Sequence, residues 1–132
     1  MRFLRILPVL TLFFILPCAL AESDLSGTYS GEHAVNKDTL LCEVTITAEG
    51  KGYAISGSYA LESGRGATPS FDGSGKVNEQ GTLVATFTDS FENTGTAMIT
   101  PTDEGVTISI RVTDVKDPRC IPLYKECTLK KQ

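Results

Sequence analysis

The sequence predicts an all-β fold: a single antiparallel meander of about eight strands closing into a small up-and-down barrel, with a β-sandwich as the alternative. Three observations carry this. Apolar and polar residues alternate at period two in four separate runs, clusters of Gly, Asn, Asp and Pro divide the runs at roughly ten-residue spacing, and no window of 10 or more residues carries a helical apolar stripe.

Taken in order, residues 1–21 read as a cleavable signal peptide. Arg2 and Arg5 form a positive start, Ile6 to Leu16 is an apolar run too short for the roughly 20 residues of a membrane span, and Ala19-Leu20-Ala21 supplies the small-residue cleavage site. Cys18 is not expected to carry lipid, because the bulky Pro17 precedes it. The chain is therefore expected to be exported, to the periplasm or the medium, without a transmembrane segment, and residues 22–132 to form one domain.

That domain holds 10 basic and 16 acidic residues, a net charge of −6. The balance is uneven: the stretch from Arg111 onward has six basic and three acidic residues, which leaves −9 on residues 22–110. An acidic body repels nucleic acid and attracts cationic proteins. Solubility alone also calls for net charge.

The strands follow. Leu25 to Gly31 is a weaker first candidate, then Leu41 to Ala48 alternates cleanly, with Cys42, Val44 and Ile46 on one face. Tyr53, Ile55, Gly57, Tyr59 and Leu61 share the apolar face of the next strand after the turn Ala48 to Gly52. Phe71 to Val77 is again weaker, whereas Leu83, Ala85 and Phe87 alternate with threonines in a strand of high β-propensity. Thr94 to Thr100, the clear run Val106 to Val112, and Leu123 to Lys130 complete the set, with turns at Asn78 to Gly81, Asp89 to Asn93 and Pro101 to Gly105. The inward faces are bulky, so the interior is expected to be filled.

Leu25-Ser-Gly-Thr-Tyr29 and Ile55-Ser-Gly-Ser-Tyr59 echo one another. A glycine beside a tyrosine lets the ring lie over bare backbone and permits the bend of a small barrel. An export signal, a first strand reading Gly-Thr-Tyr and a meander with Ser-Gly-Ser-Tyr resemble the calycin-type small barrels, avidins among them, and also the periplasmic lysozyme inhibitors with their Ser-Gly-x-x-Tyr loop. The resemblance to the inhibitors, shared weakly by Lys51-Gly52, implies inhibition of a lysozyme. The chain has no Trp, so the biotin site of an avidin is not implied, and Ser56 to Tyr59 is one residue shorter than the inhibitor motif.

Chemistry-bearing motifs are sparse. His33 is the single histidine, beside Glu32 near the end of the first strand, and no Gly-x-Ser-x-Gly elbow accompanies it, so no catalysis is expected. Cys120 and Cys127 lack metal-ligand spacing, and Gly73-Ser-Gly-Lys76 has Ser70 and Val77 where a phosphate loop needs Gly and Ser/Thr; no metal or cofactor is expected. Glu62 to Gly75 is the longest non-periodic stretch and the expected binding loop, with Arg65 and Phe71 as contact residues and Ser63 and Ser70 beside them. The function expected first is a non-enzymatic module that binds another protein, as an inhibitor of a cationic periplasmic or extracellular enzyme. Carriage of a small ligand inside the barrel comes second.

Three cysteines remain after cleavage, an odd number. Cys42 and Cys127 each share a face with inward apolar residues, while Cys120 sits in the proline-bracketed Asp117-Pro-Arg-Cys-Ile-Pro122, expected to be exposed. Topology favours Cys42 with Cys120, since both fall at the same end of a meander. A long-range bridge of either kind stabilises by about 4.5 kcal/mol against about 2.5 kcal/mol for Cys120 with Cys127. The bridge expected is Cys42 to Cys127, with Cys120 free.

Overall fold

The structure is a computed structural model and describes residues 24–132. The expected signal peptide lies outside the described residues. Eight antiparallel strands run in chain order around a closed barrel: β1 (Gly27–Val35), β2 (Asp38–Glu49), β3 (Gly52–Leu61), β4 (Ser70–Val77), β5 (Leu83–Asp89), β6 (Thr94–Pro101), β7 (Gly105–Asp114) and β8 (Cys127–Lys131). The meander barrel is thus the fold, and the sandwich is not.

Period-two patterning explains which side chains enter. In β2, Leu40, Cys42, Val44 and Ile46 are buried, and in β5 Leu83, Ala85 and Phe87. Val106, Ile108 and Ile110 of β7 do the same. Hairpin geometry fixes the register: the connections Asn36-Lys37 and Gly50-Lys51 are two residues long, and Asn36 (φ 56°) and Gly50 (φ 59°) adopt the left-handed backbone such tight turns demand.

Two strands begin and end differently from the sequence reading. β1 starts at Gly27 and reaches Val35, because its pairing with β2 continues to Val35↔Asp38; Leu25 instead tucks under one barrel end, where Tyr29 Oη donates to its carbonyl at 2.7 Å. β8 starts only at Cys127, since Pro118–Leu123 winds into a 3-10 turn across the opposite end. Asp117 starts that turn by accepting from the Arg119 N–H, and the turn buries Cys120 and Leu123.

The barrel is thereby stopped at both ends, by Leu25 at one and by the 3-10 turn with Tyr124 at the other. Between them Tyr59, Phe71, Phe87 and Tyr124 form a chain of ring contacts with centroids 5.1–6.1 Å apart. Eight strands enclose little more than their own side chains, and here those side chains occupy the space. Gly57 makes part of this packing possible: a Cβ on it would sit 2.7 Å from Phe71 Cζ. The ring over the Gly57 backbone is therefore that of Phe71, its direct partner on the neighbouring strand β4, and not the tyrosine beside it in sequence. At Gly27 the neighbour is the aliphatic end of Lys131.

The seam has the shortest ladder of the wall. β1 pairs with β8 only through Tyr29↔Lys131 and Ser30↔Lys130, and β8 pairs with β7 through four residues.

Candidate functional site

The segment between β3 and β4 is shorter and better anchored than its composition implies. Only residues 62–69 form the loop; Ser70 to Gly75 belong to β4. Ala67 and Pro69 are buried, and the Pro69 carbonyl accepts from Tyr59 N. At the tip, Asp38 accepts from Ser63 Oγ (2.5 Å) and from Ser63 N (3.3 Å). These bonds, with that from Thr39 N and the Arg65 charge, hold the Asp38 carboxyl below its ordinary value.

The four expected contact residues part company here. Arg65 is 80% exposed at the loop tip, 3.9 Å from Asp38, and Ser63 and Ser70 are exposed as well. Phe71 faces the interior, 3% exposed, because it occupies an inward position of β4 between Tyr59 and Phe87. It therefore presents nothing to a partner.

Beside this loop, on the outside of β8, β1, β2 and β3, runs a groove of about 750 Å³. Leu41 and Ala60 give it an apolar floor, Glu32 and Glu43 two exposed carboxylates, and Ser58 and Thr128 hydroxyls. Its one ammonium, Lys130, lies 3.6 Å from the Glu104 carboxylate, which leaves the groove negative. Ala60 is an outward position near the end of β3, two residues before the loop begins at Glu62, so groove and loop are continuous. Sequence patterning missed the groove because its members come mostly from outward positions of four different strands. A smaller concavity of about 450 Å³ lies on the outside of β4, β5 and β6, lined by Asp72, Ser74 and the threonine pairs Thr86/Thr88 and Thr94/Thr96.

The plugged end carries a buried polar latch that sequence reasoning also missed. Asp89 accepts from Phe91 N (2.8 Å), Asn93 N (3.0 Å), Asn93 Nδ2 (2.9 Å) and Tyr124 Oη (2.7 Å). Asn93 Oδ1 accepts from Lys116 N (2.6 Å) and Asp117 N (2.9 Å), and Asn93 Nδ2 donates to Asp117 O (3.1 Å). Every polar atom of the two side chains is used, as burial requires. Cys120 packs against this latch: burial, and then the Asp89 charge, raise its thiol to about 11. The expectation that Cys120 is exposed is thus corrected, since the 3-10 turn folds it inward to full burial.

No protein-family model, curated protein or solved structure matches this chain. The local geometry therefore carries the functional reading. His33 is exposed on β1 opposite Leu40. Among the described residues no three His, Cys, Asp or Glu side chains gather in a metal-binding cluster, and no helix is long and apolar enough to cross a membrane.

Proposed function

We propose that this chain is an exported, non-enzymatic protein-binding module whose target is a cationic protein, in the first place a periplasmic or extracellular enzyme such as a lysozyme. One observation carries the reading: the interior is taken up by side chains and stopped at both ends, while the groove of about 750 Å³ lies outside, acidic and continuous with an exposed loop. Carriage of a small ligand inside the barrel is the weaker reading on the same ground, since a ligand site needs roughly 300 Å³ of its own.

The net charge of −6 on residues 22–132 draws a cationic partner over distances comparable to the Debye length, about 8 Å at physiological ionic strength. Arg65 at the loop tip supplies a fork of donors for carboxylate or carbonyl groups on that partner. Titration of the purified protein into a c-type lysozyme by calorimetry, alongside peptidoglycan lysis, tests this. Saturable binding that weakens with salt, together with slowed lysis, is expected. Absence of both at low salt would remove lysozyme as the target, and N-terminal sequencing of the exported protein is expected to begin at Glu22.

A further inference from the structure

We propose that Cys42 and Cys127 are joined by a disulfide that passes over β1 and locks the barrel seam. Cys42 lies on β2 and Cys127 on β8, with β1 between them. Side chains two strands apart normally fail to meet, because the intervening strand fills the gap. Here the residue of β1 paired with Cys42 is Gly31, which has no side chain and faces the same interior. A Cβ on Gly31 would sit 2.5 Å from Thr128 O and 2.9 Å from a Leu129 methyl, so β8 closes down on that bare position.

The result is that the two thiols are neighbours in the interior. Both are buried, at 2% and 3% exposure, and each is the group that most perturbs the other. The Cys42 side chain, against the opposing effect of burial, lowers the Cys127 thiol and makes it the easier one to ionise. Tyr59 Oη lies beside Cys42 and finds no hydrogen-bond partner of good geometry. Cys120 stands apart, among Asp89, Asp117 and Arg119. Three cysteines thus divide into a neighbouring pair and a separate third.

The chemistry is two thiol–disulfide exchanges with a small-molecule or protein disulfide as oxidant. The Cys127 thiolate attacks the oxidant's S–S bond, forming a mixed disulfide and releasing one thiolate. The Cys42 thiolate then attacks the mixed disulfide, forming the Cys42–Cys127 bond and releasing the second. The protein loses two electrons and two protons, and the oxidant becomes two thiols. Because both sulfurs are enclosed, exchange requires β8 to part from β1, a seam of two residue pairs and the Gln132 N to Thr28 O bond. The bridge forms before or during closure of the seam and then fastens β8 to β2, past the strand it pairs with so briefly.

Trypsin separates the three cysteines, on Asp38 to Lys51, Cys120 to Lys125 and Glu126 to Lys130. The reduced full chain is to be refolded from urea with oxidised and reduced glutathione, alkylated without reduction, and mapped by mass spectrometry. The expected product joins Asp38–Lys51 to Glu126–Lys130, lighter by two hydrogen atoms than the separate peptides, with alkylation only on Cys120. Cys120→Ser is expected to leave this map unchanged. Alkylation of both Cys42 and Cys127, or a bridge to Cys120, would overturn the proposal, and the wild-type map decides this whether or not any cysteine variant folds.

Discussion

Tyr124 Oη and Asp89 Oδ2 meet across 2.7 Å, and this bond ties the plug of one barrel end to the turn between β5 and β6. Asp89 also accepts from the Asn93 side chain, whose carbonyl in turn accepts the Lys116 and Asp117 N–H groups. Replacing Asp89 with Asn puts an amide among donors that have no further acceptor. We expect Asp89→Asn to lower unfolding stability by about 2–4 kcal/mol, measured by urea denaturation, and Tyr124→Phe by about 1–2 kcal/mol. Equal stability of wild type and Asp89→Asn would show that the latch holds nothing.

The same carboxylate sets an acid dependence. Burial works against its charge, but hydrogen bonds from Asn93, Tyr124 and the backbone outweigh burial and hold the carboxyl below its ordinary value of 3.8. The unfolded chain therefore takes up the proton first, so the contribution is whole above the unfolded-state value and is lost as pH falls through the folded one. Wild type and Asp89→Asn are expected to differ most near neutral pH and to converge as pH falls through the folded-state value, which lies below 3.8. A constant difference across that range would refute the assignment.

Gly57→Ala tests the packing of the barrel wall. The added methyl meets Phe71 Cζ at 2.7 Å and the Glu43 carbonyl, which is backbone and cannot swing aside. A loss of about 1–3 kcal/mol is expected from such overpacking. Because the carbonyl clash stays, Phe71→Leu in the same chain should restore only part of it, and full additivity of the two changes would mean that the ring and the glycine do not interact.

Arg65→Ala is expected to weaken binding of a cationic target's loop tip contacts while leaving the thermal midpoint unchanged. The ion pair to Asp38 is long and the guanidinium is exposed, a situation in which removal costs little stability. An unaltered affinity would place the contact surface elsewhere, with the groove carboxylates Glu32 and Glu43 next in line.

Strands were legible wherever one face is buried and the other wet: Leu41 to Ala48, Leu83 to Phe87 and Val106 to Val112 alternate because the barrel wall has an inside and an outside. The far part of β1 was not, since Glu32, His33 and Ala34 are all exposed and leave no alternation to read. Cys120 and Leu123 were misplaced for a different reason. Their prolines describe the local backbone correctly, as a turn, but whether a turn lies over an open barrel end or in solvent is decided by residues far away in the chain, here Asp89 and Asn93. At the candidate site, Arg65 and Ser63 were legible as a loop tip, whereas the groove joins positions that no local pattern relates.

The brief pairing of β1 with β8 also governs how this chain behaves on its way to the folded state. The two strands come from opposite ends of the described residues, so their meeting carries the greatest loop-closure cost and comes late. Until then β1 and β8 both expose unpaired edges, and such edges recruit strands from other molecules. Delayed docking of five residues, Cys127 to Lys131, thus separates a closed wall from a sheet open to aggregation at both margins.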